Sequence, residues 1–174
     1  MAEPVYDPNR RQHYSFSREG EDLIVEIRVA PGGDGPPHFH PAVEERWTVL
    51  EGRVRFKVGG RKTVPEPGEE LVVDPGVRHS FKNVGEGEAR IRAVVHPAAE
   101  MQGFLEDAAE LARAGCYTRH GLVTGPRGAM RMAEFVERYR DVAVILWPPR
   151  SVQAMLVGMR RLTRRAEKVR RERG

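Results

Sequence analysis

The chain has 174 residues, 40% of them hydrophobic, with a formal net charge of +4. That composition excludes a disordered chain and fits one ordinary domain plus an appendage. The single cysteine, Cys116, excludes an intramolecular disulfide and is read as a small buried hydrophobe.

The first stretch, MAEPVYDPNRRQHYS, has no apolar run behind its basic residues, so no secretory signal is expected and the protein is assigned to the cytoplasm. From residue 13 to about 97 the pattern is that of strands. Leu23, Val25, Ile27 and Val29 alternate with Ile24, Glu26 and Arg28, a period of two. The alternation recurs at Val54, Phe56 and Val58, and again at Ile91, Ala93 and Val95. Glycine- and proline-rich turn signals separate these runs, among them Gly59-Gly60, Asp74-Pro75-Gly76 and Gly85-Glu86-Gly87. Short strands so punctuated, with no helix long enough for a parallel crossover, predict an antiparallel all-β unit.

After His96-Pro97 the period changes. Phe104, Leu105, Ala108, Leu111 and Ala112 follow helical spacing, with Gly115 as the stop. A second helix is predicted over residues 129–142, with Met132, Phe135, Val136 and Tyr139 on one stripe. Pro148-Pro149 opens a third, in which Val152, Met155, Leu156, Met159 and Leu162 share a face. The predicted division is therefore a β unit over 1–97 and a helical extension over 98–174. The stretch 142–159 is interrupted by Pro148, Pro149, Arg150 and Gln153, so no membrane span is expected. Residues 160–173 hold eight of the 29 Lys/Arg and two of the 25 Asp/Glu, which leaves 21 against 23 elsewhere. The tail is read as a solvated helix end in preference to a nucleic-acid contact.

Chemistry concentrates in His38-Phe39-His40-Pro41-Ala42-Val43-Glu44-Glu45. Residues two apart on a strand project to one face, so His38 and His40 can point together. Imidazole suits zinc, copper, iron and nickel, and Glu44 or Glu45 can add an oxygen ligand after the turn. His79 follows a second tight turn and can supply a fourth. His13, His96 and His120 are read as incidental. By alternation Trp47 and Val49 share the face of Glu45, and Phe81 that of His79; these three are the expected pocket wall. Arg90 and Arg92 are read as a solvated outer face, and Asn83 as a turn residue.

The spacing Gly32-(five residues)-His38-Phe39-His40-(four residues)-Glu45-(six residues)-Gly52 resembles the first motif of the cupin superfamily, in which two His and a Glu bind metal. The same spacing selects Glu45 over Glu44. Gly68-(five residues)-Asp74-Pro75-Gly76-Val77-Arg78-His79-Ser80-Phe81-Lys82-Asn83 resembles the second motif, whose His completes the set. Asp74 stands where the family usually has proline, and Pro75 follows it. The resemblance covers roughly residues 20–97. It implies a jelly-roll (double-stranded β-helix) barrel and one divalent ion, Fe, Mn, Ni, Zn or Cu, held by His38, His40, Glu45 and His79. It also implies a homodimer and a small-molecule substrate or ligand. The expected function is a small metal-dependent enzyme of the dioxygenase or isomerase kind. The alternative is a non-catalytic ligand-binding module that acts through the basic tail.

Overall fold

A computed structural model describes residues 3–145. The strands are β1 (Val5–Asp7), β2 (Gln12–Glu19), β3 (Asp22–Val29), β4 (Asp34–Phe39), β5 (Glu44–Glu51), β6 (Val54–Val58), β7 (Arg61–Thr63), β8 (Glu70–Val73), β9 (His79–Asn83), β10 (Ala89–His96) and β11 (Val144–Ile145). Two helices, α1 (Met101–Arg113) and α2 (Gly125–Arg138), lie between β10 and β11. The predicted third helix and the basic tail lie outside the described residues.

The strands form a six-stranded sheet, β1-β2-β3-β10-β5-β8, and a five-stranded sheet, β11-β4-β9-β6-β7. Every pairing is antiparallel. The barrel expected from the sequence is in fact an open sandwich. Side chains join the two sheets, and among the described residues no hydrogen-bonded ladder closes them. Trp47 of the larger sheet meets Phe56 and Phe81 of the smaller, ring centroids 5.7 and 5.3 Å away. The strand alternation read from the sequence sets the core: Leu23, Val25, Ile27 and Val29 are buried, and so are Ile91, Ala93 and Val95.

Local chemistry shapes the connections. Asp7 closes the β1–β2 turn by accepting the amides of Asn9 and Arg10 through Oδ1. Asn83 holds the turn after β9: its amide donates to the carbonyls of Val29 and Gly87 and accepts from Gly85 N–H. Gly52 has φ +85°, and a Cβ there would come within 2.8 Å of Ala89, so only glycine fits between β5 and β6. Arg90 and Arg92 lie on the solvated face, the latter paired with Glu26.

The first helix ends at Arg113, with Ala114 as its cap just before Gly115. The second begins four residues earlier than predicted and ends at Arg138. Its first turn, Gly125-Pro126-Arg127-Gly128, has no apolar stripe to betray it, although proline at the start of a helix is favourable. At its far end Val142 and Ala143 both donate to Tyr139 O, turning the chain into β11. The predicted apolar stripe is used: Phe135 and Tyr139 are buried, and Met132 and Val136 pack against the same core. Phe104 of α1 meets Phe135 and Tyr139, and the Tyr139 hydroxyl donates to Asp107 of α1 at 2.7 Å. The helical faces therefore join the core of the β unit.

Candidate metal centre

His38 sits on β4, directly opposite His79 at the start of β9. His40 lies just past the end of β4, and Glu45 enters from β5 of the facing sheet. The turn at Asp74-Pro75-Gly76-Val77 delivers His79: Val77 N donates to Asp74 O, with proline second and Gly76 at φ +78° third, the pattern of a type II turn. The displaced proline thus falls at a position that favours it. Gly76 N also donates to His40 O, tying this turn to the other arm of the site.

One ligand atom from each of His38, His40, Glu45 and His79 can be chosen so that all lie within 4.8 Å of one another. His40, Glu45 and His79 are only 3, 4 and 3% exposed, and His38 is half-buried. Each ring has Nδ1 on a backbone carbonyl: His38 on Pro36 at 2.7 Å, His40 on Val142 at 2.8 Å and His79 on Val77 at 3.0 Å. A carbonyl only accepts, so Nδ1 carries the proton, and in a neutral ring Nε2 is left with a lone pair. His40 Nε2 lies 3.3 Å and His79 Nε2 2.9 Å from the two oxygens of Glu45. Neither makes a hydrogen bond of acceptable geometry among the described residues. Buried acceptors converging on one another are unfavourable unless a cation lies among them. Ligand atoms each about 2.0–2.2 Å from a common ion fit such separations. The donor set therefore suits a divalent metal, with carbonyls behind the rings fixing the tautomer.

The same groups also act on one another electrostatically. Burial lowers the His38 pKa to about 3, and its neighbours His79 and His40 push the same way, so this ring stays neutral. Burial raises the carboxyl of Glu45, but the two close imidazoles outweigh it and hold the group well below the usual range. Burial works against protonation of His40 as well, yet Glu45 reverses the balance and leaves its pKa raised.

A cavity of about 140 Å³ opens from the cluster. Trp47 and Phe81 line it. Val49 shares their inward face but packs in the core away from the cavity. Sequence reasoning missed three contributions to this site. Met101, Phe104, Leu105 and Leu111 of α1, Met132 and Phe135 of α2, and Ile145 of β11 also line the cavity. Tyr14, Arg10 and Gln12, on or just before β2, line it too, and the alternation of Gln12, Tyr14 and Phe16 was the available signal. The Val142 carbonyl behind His40 had no signal at all, since any residue supplies one.

Residues 25–96 match the cupin-domain family. With that match and this fold, the β unit belongs to the cupin superfamily. Over 79 residues it is 40% identical to germin-like protein subfamily T member 3 of Arabidopsis thaliana, covering 41% of this chain and 34% of that protein. It is 33% identical over 77 residues to the tetracenomycin polyketide synthase protein TcmJ of Streptomyces glaucescens, covering 44 and 52% of the two chains. The matched segment thus spans a third to about half of these relatives' length. Among solved structures, KdgF from Halomonas sp. superposes with a TM-score of 0.52 at 17% identity, over 56% of this chain and 88% of that one, a likeness of fold.

Proposed function

We propose that this cupin holds one divalent ion at His38, His40, Glu45 and His79 and acts as a small metal-dependent enzyme on a phenolic or enolisable dicarbonyl compound. The observation that carries the reading is the buried His/Glu cluster, with Nε2 of His40 and of His79 unpartnered, beside a mostly apolar cavity. A bound metal would supply Lewis acidity toward a substrate oxygen or, if redox-active, dioxygen chemistry. Trp47 and Phe81 offer ring faces on which a planar substrate can stack. Glu45, held anionic, is the base nearest to a phenolic or enolic proton. The apolar side chains of α1 and α2 keep bulk water from the reacting group. The likeness to a polyketide synthase protein supports a substrate rich in carbonyls and hydroxyls. A homodimer belongs to the same reading, and light scattering would show it as twice the mass of one chain.

The test is oxygen uptake and product analysis on a panel of phenols and 1,3-diketones, with the protein loaded in turn with Fe, Mn, Ni, Zn and Cu. Turnover with at least one metal, reduced on the order of 10²-fold or more in Glu45→Gln, is expected. Binding without turnover for every metal would instead favour a ligand-binding module.

A further inference from the structure

Away from the cluster, the same cavity is walled by a second polar group. Tyr14 of β2 lies three strands from Glu45 of β5 in the order β2-β3-β10-β5, about 14 Å across the sheet at ~4.8 Å per strand. Tyr14 is 5% exposed and lines the cavity. Asp7, Tyr117 and Arg10 are close enough to act on it electrostatically. Each of those neighbours already has a partner. Asp7 Oδ1 accepts two backbone amides, Tyr117 donates to Ala108 O at 3.3 Å, and Arg10 pairs with Asp34 at 3.2 Å. The Tyr14 hydroxyl makes no hydrogen bond among the described residues. It is also not among the atoms sealed off without a partner, so it emerges into the cavity.

We propose that Tyr14 is a ligand-recognition residue, its hydroxyl hydrogen-bonding a neutral hydroxyl or carbonyl of a mostly apolar molecule seated in the cavity. A hydroxyl with no protein partner that opens into the cavity is free to bond a ligand oxygen in place of water. The nearby charges balance, Arg10 against Asp34 and Arg113 beside Asp7, so no surplus of either sign favours an ionic ligand. The aliphatic and aromatic walls from α1 and α2 select against a strongly hydrated molecule. A cavity of about 140 Å³ is near the size that admits a single benzene-sized ring. The inference rests on the reading above that the cavity takes a small molecule, and not on the metal.

Phenol and toluene, nearly the same shape, serve as probes, titrated by calorimetry into the full chain and into Tyr14→Phe, with metal content measured on both. The wild type is expected to bind phenol about tenfold more tightly than toluene, equivalent to 1.4 kcal/mol. In Tyr14→Phe that preference should fall to near unity while toluene affinity stays the same. Unliganded Tyr14→Phe should melt at the wild-type temperature or above it, which separates a binding role from a structural one. An unchanged phenol preference in the variant, or no binding of either probe to wild type, would overturn the proposal. Loss of the preference in a protein that takes up no metal would uphold Tyr14 and overturn the metal-dependent reading alone.

Discussion

At the residue scale, the three histidines owe their usefulness to what lies behind them. Each ring is anchored through Nδ1 to a carbonyl, two from neighbours two residues earlier in the chain and one from Val142. The anchors leave Nε2 as the outward atom, the state a metal requires. Asp7 is buried differently. Burial raises its pKa, against the opposing pull of the Arg10 and Asn9 amides and the charges of Arg10 and Arg113. A carboxyl whose folded pKa exceeds the unfolded value of about 3.9 favours the fold when protonated, and that contribution is lost as pH rises through the folded pKa. Asn at this position keeps an oxygen for the two amides and never ionises. Asp7→Asn should therefore gain in melting temperature relative to wild type at pH 7, and gain less at pH 4. A gain that grows toward low pH would contradict the assignment.

At the scale of elements, β4 and β11 set the tolerance of the site. A Cβ on Gly35 would lie 2.5 Å from the Phe81 ring, which is itself pressed against Trp47 and Phe56. Gly35→Ala is expected to cost about 1–3 kcal/mol in urea unfolding, as overpacking does. A neutral result would mean that Phe81 is free to move. Val144 pairs with Phe39, next to His40, and so holds the Val142 carbonyl in place. Val144→Pro should weaken metal binding by roughly 10–100-fold in chelator competition, the usual penalty for disturbing a group behind a ligand. Unchanged affinity would remove β11 from the site. The long alternating strands were legible in the sequence because their burial is one-sided. Three-residue β1 and two-residue β11 were not, since so few residues show no period. The start of α2 was misplaced because its first turn is glycine-rich and has no apolar side chain to mark a helical period.

On the scale of the whole molecule, a sandwich open on one side is covered by the helical segment that follows it. The four clustered residues were legible because their spacing along a strand pair and two turns resembles a known motif. The cavity's outer wall was not, because contacts between α1, α2 and β2 have no short-range signature. Nothing in residues 101–145 spaces a ligand, yet that stretch supplies much of the lining and the carbonyl behind His40. Among the described residues no helix is long and apolar enough to cross a membrane. If the folded site binds metal and the unfolded chain does not, a free-metal concentration a hundredfold above Kd adds about 2.7 kcal/mol of stability, several degrees in melting temperature. A melting temperature indifferent to metal would argue against a preformed site. The most direct test is metal content by mass spectrometry on protein purified without a metal-binding tag, wild type beside His40→Ala. Near one equivalent of metal in the wild type and a sharp fall in the variant is the predicted result. No metal in either, with no uptake on adding iron, manganese, nickel, zinc or copper, would contradict the metal centre.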